Sequence, residues 1–374
     1  MLVTETPPGT PNGFGVTLEN LLLGQKFTTI FTDRNFIKHS KRRDTIFAQV
    51  PNHYARKYAV PFVLGITPEW RGKYSKKWLK KKIHGNVSNV YAFVYCTQTL
   101  KFGAWIAEEL GVDLIIHITD FSNNFIEKNN LEIIKRSSDF IVISERMKKV
   151  FQEFIPDKFI SVIHNGAAKK CFNLVKKQNA NFNKDNPFKV VYIGSIYKEM
   201  HSNSIEDILF VINKLYDEGL PIEFHGYGNI EPKDFLNEFT IRKGINHHGI
   251  IMPLEKKWGI MQSSDCFVIP STFSKSLKQN YQYSFPTKLC EYLGSGKPTL
   301  VYAPEDSELF DFINRNKLNI ILKERSKNML EKIFRSMIKD YAPFLKEGKR
   351  ASLLIKASYE NEILKKKLNY ILQR

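Results

Sequence analysis

The chain has 374 residues, with 56 Lys+Arg against 38 Asp+Glu and a formal net charge of +18 at pH 7. That length exceeds one ordinary core and makes two domains the prior, while 43% hydrophobic and 13% aromatic residues exclude a disordered or fibrous chain. The positive surplus suits nucleic acid, an anionic membrane face or a phosphorylated substrate, and it speaks to association rather than to fold.

The N-terminus opens on a strand-like Met1-Leu2-Val3-Thr4. Pro7-Pro8-Gly9 and Asn12-Gly13-Phe14-Gly15 follow, and a helical pattern begins near Val16. With no basic leader ahead of a long apolar core, and no run of ~18 apolar residues, neither a signal peptide nor a spanning helix is expected. Short apolar runs then alternate with helical patterns. Tyr91–Tyr95 reads as a strand, Leu100–Leu110 as a helix, Leu114–Ile118 as a strand and Asn130–Ser137 as a helix. Phe140–Ile143 is the next strand, Arg146–Phe154 a helix, and Ile160–Ile163 a strand ending in His164-Asn165-Gly166. Such alternation specifies a parallel, doubly wound sheet. Lys176–Asn186, rich in Asn and Lys and poor in apolar residues, reads as a linker.

A second series starts at Lys189–Gly194. It continues with a helix over Ser204–Asp217, the strand Ile222–Phe224, a strand-like Gly249–Ile251 and a helix around Trp258. The strand Cys266–Ile269, a helix from Pro286 and the strand Thr299–Tyr302 complete it, and Leu345–Leu372 is helical in period. Two α/β halves of similar size make a bilobal molecule. Ligands of such sheets sit at the carboxyl ends of the strands, so the active site is expected in the cleft between the lobes. The four cysteines are scattered singly, which argues against a disulfide scaffold or a zinc site and for a reducing compartment.

The stretch that carries most chemistry runs from Ser284 to Pro298, SFPTKLCEYLGSGKP. Pro286 suits the first helical position with Ser284 near the cap, and Gly294 or Gly296 can end the helix before Pro298. Free amides of that first turn form an anion site favoured by the helix dipole. Lys288 and Glu291, three residues apart, share a face, and Glu291 lies roughly 6 Å along the axis from Thr287. That offset lets a carboxylate accept ribose hydroxyls while Lys288 and the helix N-terminus hold a neighbouring diphosphate. A solvated Lys-Glu pair is the alternative for an isolated KxxE.

FPTKLCEYLGSGKP, the earlier VISERMKKVF with VIHNG, the VVYIGSI turn, EFHGYG and PPGTPNGFG together resemble the retaining GT-B-fold glycosyltransferases of the family 4 type. The resemblance covers most of the second half in order and is weaker before residue 110. It implies two Rossmann-like doubly wound domains facing a cleft. Residues 1–178 would form an acceptor-binding domain, with a C-terminal helix of about 357–374 packing back on it, and residues 187–356 a nucleotide-sugar donor domain. Glu291 matches the second glutamate of the family's E-x7-E motif, which holds the nucleotide ribose. Tyr283 stands where the first would be, which leaves donor-sugar recognition open. Gly194, Ser195 and Lys198 match the turn after the first donor-domain strand, and Lys288 would supply a second charge to the diphosphate. Gly226 and Gly228 would flank the nucleotide, or would simply end a strand, and His225 just before them reads as structural. Gly13 and Gly15 match the N-terminal glycine loop, which would face the diphosphate of the nucleotide sugar or the acceptor. Asp120, preferred over His117 at the end of the same strand, would orient the acceptor hydroxyl, with capping of the next helix as its other reading. Asp120 and Lys288 are thus the expected catalytic residues.

No Asp-x-Asp occurs in the chain, so no metal and no cofactor are expected beyond a nucleotide-diphosphate sugar as donor substrate. The segment Arg71–His84 contains seven Lys/Arg and no acid, with Trp78, Leu79 and Ile83 interleaved. It reads either as a solvated basic face or as a contact with an anionic membrane near a lipid-linked acceptor. The leading function is a sugar transferase in cell-surface polysaccharide or glycolipid synthesis, cytoplasmic or peripheral on the inner membrane face. A nucleotide-sugar epimerase and a nucleic-acid-binding or nucleic-acid-modifying protein are the alternatives, although nucleic acid is not the expected partner.

Overall fold

A computed structural model of the chain describes residues 1–6, 8–10, 13–22, 29–31, 45–47, 86–175, 186–237, 241–251 and 255–374. The basic segment Arg71–His84, Pro7, Asn12 and linker residues 176–185 lie outside the described residues. The chain divides into two compact units, Met1–His164 with Glu362–Arg374, and Asn165–Asn361.

In the first unit β1 (Leu2–Thr4) leads to helix α1 (Gly13–Leu22), β2 (Thr29–Phe31) and β3 (Thr45–Phe47). After these come β4 (Asn89–Val94), α2 (Thr97–Leu110), β5 (Asp113–Ile118), α3 (Lys128–Arg136), β6 (Asp139–Val142), α4 (Glu145–Phe154) and β7 (Ile160–Val162). The sheet runs β3-β2-β1-β4-β5-β6-β7, and every described pairing is parallel. In β4 and β5 all but the first residue are buried, as expected of parallel strands covered on both faces. Helix α2 starts three residues earlier than its apolar period suggests, because Thr97 and Thr99 are buried polar residues. It ends on Gly111 at φ 66°, a left-handed position that suits glycine. The last helix of the chain, Asn361–Leu372, contributes Leu364, Leu368 and Ile371 to a core with Leu2, Leu18, Leu21 and Tyr91.

The second unit begins with the helical turn Lys169–Phe172 and holds β8 (Phe188–Ile193), the short β9 (Ile196–Tyr197), the helical turn Lys198–His201, α5 (Ser204–Asp217) and β10 (Ile222–Tyr227). Then come β11 (Ile230–Glu231), β12 (Ile245–His247), α6 (Lys256–Ser263), β13 (Cys266–Pro270), α7 (Thr287–Gly294), β14 (Thr299–Tyr302), α8 (Glu308–Arg315), β15 (Ile321–Leu322), α9 (Lys327–Lys339) and α10 (Ala342–Ser358). The sheet order is β12-β10-β8-β13-β14-β15, again parallel in every described pair, and β9 pairs with β11.

Three expectations are corrected. The strand placed at Gly249–Ile251 is Ile245–His247 instead, and Ile250 is left 61% exposed. The single helical run Leu345–Leu372 is two helices, broken at Tyr359-Glu360, where Ala167 N donates to Tyr359 O at 2.9 Å and Asn361 N to Ala167 O at 3.0 Å. Gly226 lies inside β10, in register with Tyr192 and His247, rather than beyond a strand ending at Phe224.

Each sheet reverses its strand order once, between β1 and β4 and between β8 and β13. Such a reversal opens a crevice at the carboxyl ends of the two strands.

Candidate functional site

In the second unit the chain leaves β8 at the switch point through Gly194-Ser195. Gly194 has φ 144° and donates its N–H to Tyr227 O at 2.7 Å. Gly228, at φ 135°, lies against it: a Cβ there would sit 2.4 Å from Gly194 O and 2.9 Å from Ser195 N. Only glycine allows the two backbones this approach. A Cβ on Gly194 would meet Lys288 Nζ at 2.7 Å, so the lysine side chain crosses the turn at the open face of the glycine.

Helix α7 brings that lysine. Pro286 is its N-cap, at φ −61° and ψ 134°, rather than its first helical residue as expected, since an extended ψ keeps the proline outside the helix. Leu289 N donates to Pro286 O at 3.2 Å, and the N–H groups of Thr287 and Lys288 have no carbonyl within the helix, as at any first turn. Asn165, buried in the His-Asn-Gly turn, donates its side-chain amide to Phe285 O at 2.6 Å and holds the loop that enters the helix. Tyr292 locks the helix to the end of β8. Its hydroxyl accepts from Ile193 N at 2.6 Å and donates to Ile193 O at 3.2 Å, and its ring stacks on Phe267 at 4.2 Å. Beyond it Ser295 caps the helix and Gly296 turns at φ 74°.

Around Lys288 the side chains form one network. Its Nζ donates to Tyr192 OH at 2.5 Å and stands 4.2 Å from the centroid of that ring. The same hydroxyl lies 3.0 Å from Ser195 O and 3.0 Å from His201 Nε2. One turn further along α7, Glu291 pairs with Lys257 of α6, whose ammonium also lies 5.3 Å from the Trp258 ring. Burial, then repulsion from Lys257, pulls Lys288 from 10.5 down to about 7, with Glu291 opposing. Burial and the neighbouring Lys288 pull His201 down to about 3, so its imidazole is neutral. Beside Gly228 opens a pocket of about 460 Å³, lined among others by Ile230, Glu231, Lys233 and His247.

Of the expected site residues the structure thus brings together Gly194, Ser195, Gly228 and Lys288, with Thr287 and Glu291 on the same helix. Lys198 is exposed, 5.9 Å from the Phe235 ring, and the cations beside Glu291 are Lys257 and Lys288. Gly226 is buried and packs on Phe224. His225 pairs with Glu223 and with His248, each at 3.0 Å.

Gly13 and Gly15 belong to the first unit and open α1. Gly13 is exposed, and Gly15 is buried against the Thr10 backbone, where a Cβ would meet Thr10 O at 2.5 Å. Asp120 is exposed after β5. The following helical turn is capped by Ser122, whose hydroxyl accepts from Asn124 N at 3.3 Å, so capping is not the role of Asp120. His117, expected at the rim of the strand end, is buried within β5, its Nδ1 2.7 Å from Tyr91 OH.

Sequence reasoning missed Lys257, Tyr192 and His201. Lys257 is one of many lysines in a basic chain. Tyr192 and His201 look like core aromatics, and their spacing around the Gly194 turn was the available signal.

No family model matches the sequence, and neither does any curated protein. Solved structures do resemble it. HepE from Anabaena, in complex with UDP and glucose, aligns over 100% of this chain and 98% of its own with a TM-score of 0.66 and 12% identity. Sucrose-phosphate synthase from Thermosynechococcus elongatus aligns over 100% and 97%, with a TM-score of 0.71 and 14% identity. A UDP-forming α,α-trehalose-phosphate synthase from Burkholderia xenovorans, in complex with glucose-6-phosphate, aligns over 100% and 99%, with a TM-score of 0.68 and 8% identity. The chain has the GT-B fold, with two Rossmann-like units.

Proposed function

We propose that the protein is a glycosyltransferase that moves a sugar from a nucleoside-diphosphate sugar to a glycan or lipid-linked acceptor. The observation that carries this reading is the cradle at the β8 switch point. Gly194 leaves one face of its turn open, the Lys288 ammonium lies over that face, and the free first-turn amides of α7 belong to the same helix, an arrangement that suits a diphosphate. Glu291, three residues on, is the ribose acceptor, and Lys257 keeps its carboxylate in place. The pocket beside Gly228 offers room for part of a nucleoside. The UDP in the similar HepE complex favours the same ligand class.

In this reading residues 187–356 hold the donor, and residues 1–178 with the C-terminal helix hold the acceptor. Asp120 orients the acceptor hydroxyl, and the loop of Gly13 and Gly15 contributes to binding of the nucleotide sugar. Charge that develops on the departing diphosphate is met by preorganised amides and lysines, without a metal, in keeping with the lack of an Asp-x-Asp sequence. Retention and a place in cell-surface polysaccharide or glycolipid synthesis follow from the family resemblance. Among the described residues no helix is long and apolar enough to cross a membrane. Attachment to an anionic membrane through Arg71–His84 is part of the same proposal.

The test is binding of UDP, GDP and ADP, with and without their common sugars, to the wild type and to Glu291→Ala. The expected result is tight binding of one nucleotide by the wild type and a loss of roughly tenfold or more in the variant, the size of a lost charged hydrogen-bond set. Equal affinity in the two would remove Glu291 from the site. Isomerisation of the bound sugar with no acceptor present would favour an epimerase.

A further inference from the structure

We propose that Tyr192 and His201 are a positioning pair for Lys288, holding its ammonium over the Gly194 turn in the orientation that receives the donor diphosphate. This rests on the donor-site reading above and adds to it two residues that touch no donor group themselves.

Three separate elements meet at the Tyr192 hydroxyl: strand β8, the turn Lys198–His201 and helix α7. Lys288 Nζ donates to the hydroxyl at 2.5 Å, His201 Nε2 lies 3.0 Å away and Ser195 O 3.0 Å away. The phenol O–H donates to Ser195 O, so the phenol oxygen is left to accept, and on that ground the His201 proton is assigned to Nε2. His201 Nδ1 lies 3.0 Å from Tyr197 N and 3.1 Å from Tyr197 O, and in this tautomer it accepts from Tyr197 N. Nε2–H then donates to the phenol oxygen. The oxygen accepts from two N–H groups and gives its own proton to the turn that would face the phosphates. Lone pairs and ring both point electron density at Lys288, so the lysine is held by a hydrogen bond and by the face of the Tyr192 ring at 4.2 Å.

A flexible ammonium acquires its orientation from such contacts. The other charged groups around Lys288 do not supply it. Lys257, from α6, repels it, and Glu291, on its own helix, is already paired to Lys257. His201 is neutral and buried, so it acts as a donor of fixed direction and leaves the charge on the lysine. Burial raises the Tyr192 phenol well above its ordinary value, which keeps it protonated and able to hold Ser195.

The experiment measures affinity for whichever of UDP, GDP and ADP binds the wild type most tightly, as a function of pH. Wild type, Tyr192→Phe, His201→Gln and His201→Leu are compared, with unfolding followed in parallel. The protonated lysine binds the diphosphate, so wild-type affinity falls as pH rises past about 7. Without the hydroxyl, the Lys288 ammonium loses its acceptor. In Tyr192→Phe the alkaline limb therefore moves to lower pH by about one unit, and affinity at neutral pH drops about tenfold. His201→Gln keeps a nitrogen donor near Nε2 and is expected to stay close to the wild-type profile, whereas His201→Leu follows Tyr192→Phe. A purely structural part for the pair would lower stability and leave the pH limb in place, and that result overturns the proposal. Absence of binding by the wild type to all three nucleotides overturns the donor-site reading and this inference with it. Wild-type binding with an unmoved limb in Tyr192→Phe overturns this inference alone.

Discussion

Glu5 stands at the end of β1, where the first sheet reverses its order, and it is 2% exposed. Its Oε1 accepts from Tyr95 N at 3.3 Å and Cys96 N at 3.1 Å, and so serves the start of α2, whose N-cap Cys96 provides no side-chain cap. Its Oε2 is buried without a partner among the described residues. Burial raises the carboxyl from 4.5 to about 7 against the opposing bonds from Cys96 and Thr99. The folded state therefore binds the proton more tightly than the unfolded one. Stability from this group is full below about 4.5 and is lost as pH rises through about 7. Glu5→Gln removes the titration while keeping the acceptor. Relative to the wild type it should gain about 3 kcal/mol between about pH 4 and about pH 8, from ~1.36 kcal/mol per unit, read from urea unfolding at both ends. Stability curves that run parallel across that range would show that Glu5 stays charged or wet.

At the level of elements, Asp207 of α5 is a cross-tie in the second unit. It is 1% exposed and accepts from Arg325 Nε at 2.8 Å, Arg325 Nη2 at 3.1 Å and Tyr302 OH at 3.2 Å, with Lys327 Nζ 3.6 Å away. One carboxylate thus joins α5, the end of β14 and the entry to α9, and Tyr302 OH passes the link on by accepting from Ser326 N at 2.9 Å. Asp207→Ala strands the buried phenol and frees two cations, with an expected loss of about 3 kcal/mol, the low end for a buried pair because Arg325 is half exposed. A loss under about 1 kcal/mol would mark the tie as a surface pairing of no consequence. The same scale explains what could be read in advance. Strands β4, β5, β8 and β13 are mostly apolar and mostly buried on both faces, so local pattern suffices for them. β12 is an edge strand in which Ile245 alone is buried, and the brighter apolar signal just after it, Ile250, points to solvent. Helices α8 and α9 begin at Ser307 and Ser326 caps amid mixed polar sequence, which an apolar period does not reveal.

Across the whole molecule, long separation in sequence decides what stayed hidden. Lys288 meets Tyr192 across 96 positions and Glu291 meets Lys257 across 34, so no local motif could join them, whereas the α7 stretch shows its own cap, charge and exit turn. The net charge of +18 can now be weighed against those few ammonium groups. In the proposed site Lys288 lies over the Gly194 turn, and Lys257 pairs with Glu291 one helical turn further on. The remaining surplus acts through water and is screened beyond roughly 8 Å at physiological salt. Nucleotide affinity should therefore fall less than about tenfold between about 50 and about 500 mM salt, far less than the collapse expected of a nucleic-acid track held by many phosphate contacts. The same ligand at about 100 times its Kd should stabilise the wild type by about 2.7 kcal/mol, and Lys288→Ala should abolish most of that gain. Thermal unfolding with and without nucleotide, at both salt levels, checks the two expectations together. Stabilisation by duplex DNA that vanishes with salt, alongside none by any nucleoside diphosphate, would transfer the charge from a docking and substrate role to nucleic acid.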